Sequence, residues 1–431
     1  MKRFSLILML LLLSVSLVFV GCKKEKAADV AAAPAAKATT IEFWHLDTTD
    51  DQQAAWRQIA DNFEASHPGV TINITCLENQ AFKDKVAVVV QSGNPPDMFR
   101  SWGGGVMIEY AEAGMLKDIT KDVKTGNISK IGSGAMGLYA YNGVQYGAPY
   151  SCGFVGLWYN KAVFADCGLT EADFADWDKF LASCKTLKAK GYAPISVGEA
   201  ETWTGHYWFT YLAQRLGGQP DFLAAYNGTS AFNKGSFVKA MEMFKDLVDT
   251  NPFQDGFMAN TQAEMDALVA DRKAGVALMG QWCPSTGIDN ATTDAGKNAE
   301  WGVMAFPAVA GGKGLGSDVQ GGGDGYVIGA NAPAETVDFL KSLYEPENYK
   351  IICTRLNACP VIPGYSDLVD ANMNLVANTV AEAGYFQLYW DQFLPAAVGG
   401  AVCDATAGIF AGTITPQAAC DMIQKSWEEN K

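Results

Sequence analysis

An α/β chain with two doubly wound lobes is predicted, and three observations predict it. A β-α-β-α-β succession opens the region after residue 40, and the same alternation restarts after "YGAPY" at residues 146–150. About 390 residues follow residue 40, enough for two lobes that each bury a core of their own.

The first succession runs as follows. Ile41–Trp44 is a short apolar strand. Trp56, Ile59, Ala60 and Phe63 recur at helical spacing, and His67-Pro68-Gly69 stops that helix. Val70, Ile72, Ile74 and Cys76 alternate as a strand does. Phe82 to Val90 reads as a helix closed by Gly93-Asn94-Pro95-Pro96, and Asp97-Met98-Phe99 starts the third strand. In the second succession, Phe154–Tyr159 and Ile195–Val197 read as strands, with helices over Asp178–Lys190 and Trp208–Leu216. "GVALMGQW" (275–282) is a strand ending in an aromatic residue. Residues 310–325 are glycine-rich and almost without periodicity, so a loop is expected there, with a strand resuming at "YVIGA". Trp44, Trp56, Trp158 and Trp301 lie inside periodic segments and are expected in the core.

Met1-Lys2-Arg3 precedes an apolar run from Phe4 to Val20, the grammar of a secretory signal over residues 1–21. A membrane-spanning helix is the alternative, since a run of about 17 residues sits at the lower edge of spanning length. Gly21-Cys22 resembles the lipobox of bacterial lipoproteins, although Phe19 and Val20 depart from its preferred residues. The resemblance implies that Cys22 becomes an acylated mature N-terminus. Two or three acyl chains, at roughly 0.8 kcal/mol per buried methylene, anchor stably where one does not. Residues 22–40, rich in Ala, Lys and Glu and poor in large apolar side chains, then form a flexible tether.

The formal charge of −15 becomes −17 once Lys2 and Arg3 leave with the signal. Such acidity disfavours nucleic acid and anionic membrane surfaces, leaving Cys22 as the one expected membrane attachment. Nine cysteines follow Cys22 and none forms a C-x-x-C pair, which argues against zinc ribbons and thioredoxin chemistry. Cys353 and Cys359 could bridge in an oxidising compartment; small buried hydrophobes are an equally open reading.

No catalytic or metal-binding motif emerges. The histidines are His45, His67 and His206, without H-E-x-x-H, and neither G-x-S-x-G nor a phosphate-binding loop is present. "GSGAMG" (132–137) fits G-x-G-x-x-G, but it follows a polar stretch and leads into turn-rich sequence, unlike a dinucleotide site. No cofactor, metal or catalytic residue is expected. Aromatic residues instead gather near turns and strand ends. Trp102 sits in "FRSWGGG", Tyr150 follows a Gly-Ala-Pro turn, and Trp203 and His206 crowd beside Glu199. Gln281-Trp282 ends a strand and Trp390 adjoins Asp391. Sugars present flat C–H faces and directional hydroxyls, so their sites pair aromatic platforms with polar side chains. The candidate ligand contacts also include Asp47 and Gln80, Gly323 and Asp324 in the glycine-rich stretch, and Arg100 and Arg355 as recruiters of a charged ligand.

Several segments in order resemble the extracellular solute-binding proteins of bacterial ABC importers, in particular the multiple-sugar class. They are "IEFWH", "FEASHPGVTI", "SGNPPDMF", "YGAPYSCGFVGLWYNKAVFADCGL", "AGVALMGQW", "QLYWDQFLPAAVG" and "AGTITPQAACDMIQK". The resemblance spans nearly all of residues 41–431 and implies a type II periplasmic-binding-protein fold. In that fold two lobes are joined by a multi-strand hinge, with a ligand cleft between them. It implies an N-terminal lobe of residues 41–148 and 286–326, and a C-terminal lobe of residues 149–285 and 327–431. It further implies that Trp282 stacks on sugar, and that a monomeric, lipid-anchored receptor at the periplasm or cell surface delivers an oligosaccharide to permease subunits. Two other readings stay open: a surface glycoside hydrolase, and a receptor for a non-sugar solute such as a glycerophosphodiester.

Overall fold

The computed structural model describes residues 38–431. The apolar run, Gly21-Cys22 and most of the tether lie outside the described residues. The fold begins slightly earlier than the sequence suggests, because Thr39 and Thr40 already pair with Val70 and Thr71.

Strand β1 (Thr39–His45) runs parallel to both β2 (Val70–Cys76) and β3 (Met98–Ser101). The helices Asp50–Ser66 and Asn79–Gln91 make the crossovers, as the periodicity predicts. The first of these is started by Thr49, whose side chain accepts from Gln52 N while Gln52 returns a bond to Thr49 N. Its Trp56, Ile59, Ala60 and Phe63 turn inward.

A tight hairpin, β4 (Ala140–Tyr141) and β5 (Val144–Gln145), turns through Asn142-Gly143, both at positive φ. The apolar run after it is not one strand. β6 (Gly147–Phe154) pairs with a later strand of the first sheet, whereas β7 (Gly156–Asn160) belongs to a second sheet, so the chain changes sheets at Val155. The second sheet has the order β10-β7-β9-β8, with β8 Ala193–Ser196, β9 Ala274–Met279 and β10 Trp301–Met304. β11 (Val319–Ile328) returns to the first sheet, ordered β12-β11-β3-β1-β2, where β12 is Phe386–Leu388.

The glycine-rich stretch is therefore mostly strand rather than loop. A Cβ on Gly325 would lie 2.3 Å from Ala148 O, and one on Gly321 would lie 2.1 Å from Gly153 O. Glycine here answers crowding by β6, not a turn. The helix expected to end at Leu216 does break there, at Gly218 (φ 63, ψ −172), and a second helical stretch containing Pro220 runs on to Tyr226.

Each sheet has its own core. Phe43, Trp56, Phe63, Tyr326 and Phe339 fill one face of the first sheet, and Phe82, Phe99, Tyr139 and Val327 cover the other. Trp158, Phe180, Trp208 and Val276 belong to the cluster around the second. These contacts redraw two lobe boundaries. β10 pairs with β7, so residues 301–304 belong with the second sheet. The helices Glu335–Ser342 and Pro346–Arg355 join the first, since Phe339 meets Phe43 edge-on at 5.5 Å and Asn62 donates to Asn348 at 2.8 Å. Trp56, Trp158 and Trp301 are buried as expected. Trp44 is only half-buried, with the Lys85 ammonium 4.6 Å from its ring centre. Cys353 and Cys359 are buried free thiols, not a bridge. Among the described residues no helix is long and apolar enough to cross a membrane.

Candidate functional site

The segments following β1, β2, β3, β8 and β9 converge on one cleft of about 220 Å3. Open α/β sheets place ligands beyond the carboxyl ends of their strands, and strand ends of both sheets open onto this cleft. Asp47 follows β1, Glu78 and Asn79 follow β2, and Trp102 follows β3. Trp203 and Tyr207 lie beyond β8, and Gln281-Trp282 lies beyond β9. Tyr150 and Asp324 reach in from β6 and β11, and Tyr389 and Asp391 from just past β12.

The floor is a buried charge network. Arg100, on β3, reaches Asp324 Oδ1 at 2.9 Å and Asp47 Oδ2 at 3.7 Å, and donates to the Tyr150 hydroxyl. Burial opposes the guanidinium charge, but Tyr150, Asp324 and Asp47 together hold its pKa well above the ordinary arginine value. Asp47 Oδ2 also accepts from Trp56 Nε1 at 2.7 Å. Asp324 Oδ2 accepts from Gln281 Nε2 at 2.9 Å, which ties the first sheet to the segment after β9.

The wall is aromatic. The Lys83 ammonium lies 5.3 Å from the Trp102 ring centre, 5.6 Å from that of Trp203, and 3.7 Å from Asp391 Oδ2. Ring centres of Trp203 and Trp282 are 6.4 Å apart, as are those of Trp282 and Tyr389. Trp282 stands between β9 and the helix Cys283–Asn290, with Pro284 in that helix's first turn. Its ring folds back over Gly280, where a Cβ would lie 2.2 Å from Trp282 Cζ3. The buried Gln281 Oε1, Tyr389 hydroxyl and Asp391 Oδ1 have no hydrogen-bond partner among the described residues. Such atoms suit a ligand with many hydroxyls.

Residues 47–350 match the sequence profile of the bacterial extracellular solute-binding proteins. The chain is a member of that family. It is 26% identical to an uncharacterized ABC transporter extracellular-binding protein of Pyrococcus horikoshii over 277 residues, 62% of this chain. The chain spans about 60% of the length of that relative. It is 24% identical to the melibiose/raffinose/stachyose-binding protein of Bacillus subtilis over 348 residues, 78% of this chain and 76% of that protein. Among solved structures, a protein described in work on xylan utilization by Caldanaerobius polysaccharolyticus superposes with a TM-score of 0.82 at 26% identity. That superposition covers 90% of this chain and 99% of the other. The two-lobed, periplasmic-binding-protein-like fold follows from these likenesses and the paired sheets.

Not every residue singled out from the sequence reaches the cleft of this solute-binding protein. Asp47, Arg100, Trp102, Tyr150, Trp203, Gln281, Trp282, Asp324 and Asp391 line it. Trp390 does not, because it is buried against Phe222, Phe209 and Phe232, and its neighbour Tyr389 faces the cleft instead. Arg355 lies away from the cleft, paired with Asp51 at 2.6 Å and bonded to Gln58. Gln80 points outward and donates to Asp84. Gly323 is inside the β11 ladder opposite Cys152.

His206 and Glu199 sit behind the wall. His206 Nδ1 donates to Trp203 O at 2.5 Å, which leaves Nε2 as a lone pair 3.7 Å from Asp391 Oδ1. Burial lowers the basicity of its ring. Glu199 is buried under the loop that carries Trp203, and burial pushes its acid up to about 8. Sequence reasoning missed Lys83, Gln262 and the polar face Ser285, Thr286, Asp289 and Asn290. Lys83 and the 285–290 face stand on the helices that follow β2 and β9, whose ends were already suspected, whereas Gln262 opens a helix that no strand directly precedes.

Proposed function

We propose that this solute-binding protein captures a sugar, most simply an oligosaccharide, in the cleft and presents it to the permease of an ABC importer. The observation that carries this reading is the wall of Trp102, Trp203 and Trp282 facing a floor of fixed polar groups. Flat rings take the C–H faces of a pyranose, and the floor takes its hydroxyls. Both cations of the cleft are already matched, Arg100 with Asp324 and Lys83 with Asp391, which favours an uncharged solute over a phosphodiester. Capture works by closure of the two lobes about the sheet-to-sheet crossings, of which Val155 is the shortest.

The protein performs no chemistry on its ligand in this reading. Its floor carboxylates are engaged by Arg100, Gln281 and Trp56, a poor arrangement for an acid–base pair that must exchange protons with a glycosidic bond. It works as a monomer outside the cytoplasm. The anchor is Cys22, and the residues between it and β1 hold the receptor near its permease, raising the local concentration of captured solute.

A calorimetric and thermal-shift screen of mono- and oligosaccharides tests the central claim. A true ligand at about 100 times its Kd adds roughly 2.7 kcal/mol of stability. Silence across the panel overturns the sugar reading, and release of reducing sugar overturns the non-catalytic one. Fatty-acid labelling that persists in Cys22→Ser removes the lipid anchor.

A further inference from the structure

Asp266 lies just behind the candidate ligand face and is fully buried on the helix Gln262–Ala270. Its Oδ1 accepts from Cys283 Sγ at 3.1 Å, and its Oδ2 accepts from Gln262 Nε2. Each partner is joined to the cleft. Gln262, one helical turn before Asp266, lines it directly. Cys283, fully buried, is the first residue of the helix Cys283–Asn290 and follows Trp282. That helix carries Ser285, Thr286, Asp289 and Asn290 to the cleft, yet its start has no side-chain cap. The two helices touch closely, since a Cβ on Gly287 would lie 2.8 Å from Asp266 O. Asp266 is thus a polar group shared by both elements at their point of contact.

We propose that Asp266 is a positioning residue for the ligand face, its carboxyl setting Gln262 and, through Cys283, the helix start that orients Trp282. The proposal rests on reading the cleft as the solute site. Burial holds the Asp266 acid well above the ordinary carboxylate range, with Cys283 and Gln262 pulling weakly the other way. An asparagine keeps the shape of Asp266 and an oxygen to accept from Cys283, and its NH2 meets Gln262 once that side-chain amide turns over to present Oε1, whereas leucine offers no polar atom to either partner. Burial likewise keeps Cys283 as a thiol able to donate. Asparagine should replace Asp266, and leucine should not.

Fluorine NMR of the full chain labelled with 5-fluorotryptophan tests this without any ligand, the Trp282 resonance being assigned by its loss in Trp282→Phe. Asp266→Asn is expected to keep the wild-type position and width, whereas Asp266→Leu shifts or broadens the line. An unmoved line in Asp266→Leu, or equal disturbance in both variants, overturns the proposal. If circular dichroism shows Asp266→Leu unfolded, Cys283→Ala and Gln262→Leu each delete one partner. The Trp282 line must then move in Cys283→Ala, and its constancy overturns the proposal. In parallel, raffinose and stachyose are titrated into each variant. Asp266→Leu is expected to weaken binding tenfold or more, and Asp266→Asn less than twofold. If the wild-type chain binds neither sugar, the choice of ligand is at fault, and the fluorine result still decides the role of Asp266.

Discussion

Arg100 and Asp324 form an ion pair at 2.9 Å with side chains only 6% and 9% exposed, on adjacent antiparallel strands of one sheet. Two charges removed from water at this depth lose several kcal/mol of hydration each, and hold only while every partner stays in place. The Tyr150 hydroxyl bonds Arg100, Gln281 bonds Asp324 and the Asp47 charge stands 3.7 Å away, while Arg100 Nε finds no hydrogen-bond partner among the described residues. The pair thus serves as a rigid floor from which Gln281 is aimed.

Arg100→Met is expected to cost about 3–5 kcal/mol, because it strands the Asp324 and Asp47 charges in a buried site. Combining it with Asp324→Asn should cost less than the two single changes added together. Urea unfolding of the two single variants and the double variant measures this. Additive losses would show that the charges are not coupled.

Trp282→Ala and Trp390→Ala should separate a platform from a core residue. Trp390 is 2% exposed within a cage of Phe222, Phe232 and Phe237, so its truncation should cost about 3–5 kcal/mol. Trp282 is half-buried, so its loss should leave a folded protein with binding weaker by about 2 kcal/mol or more. Denaturant curves and calorimetry on both variants decide, and a swapped pattern would reverse the assignment.

Gly280→Ala should imitate Trp282→Ala without removing the ring. The new methyl would stand 2.2 Å from Trp282 Cζ3, so the indole must leave its present position. Affinity for the best sugar of the panel is expected to fall at least tenfold, while the urea midpoint barely changes. Wild-type affinity in Gly280→Ala would mean that the ring's present position is not the binding one.

The first β-α-β-α-β unit was legible because its information is local: alternation in β2, helical spacing from Trp56 to Phe63, and turn residues between them. β11 was not, because its glycines answer to Ala148 and Gly153, more than 160 residues away in sequence. The site followed the same divide. Trp102 and Trp282 were found because each stands at a strand end. Trp390 is named from the sequence and Tyr389 is not, because the sequence does not say which of two adjacent rings turns inward; packing against Phe222, on a distant helix, decides it. Arg355 looked like a recruiter of charge until Asp51, 304 positions earlier, proved to hold it. Glu199 and His206 lie in the right segment, but the loop reverses at Thr202 (φ 61) and turns them behind Trp203.

That loop gives the protein an alkaline weakness. Glu199 is 2% exposed, and burial raises its acid from 4.5 to about 8, only partly opposed by Gly205 and Thr204. Between those values the folded chain keeps the proton and the unfolded chain has lost it. Stability contributed by this group is therefore full below pH 4.5, falls as pH rises, and levels off above about 8. At roughly 1.4 kcal/mol per unit, the loss is on the order of a few kcal/mol. Glu199→Gln keeps a neutral side chain of the same shape and removes the titration. Urea unfolding of both proteins at pH 5, 7 and 9 should show the wild type declining relative to the variant, most of it by pH 8. Parallel profiles would mean that Glu199 ionises in place at no cost, and would end the argument that it lies sealed beneath Trp203.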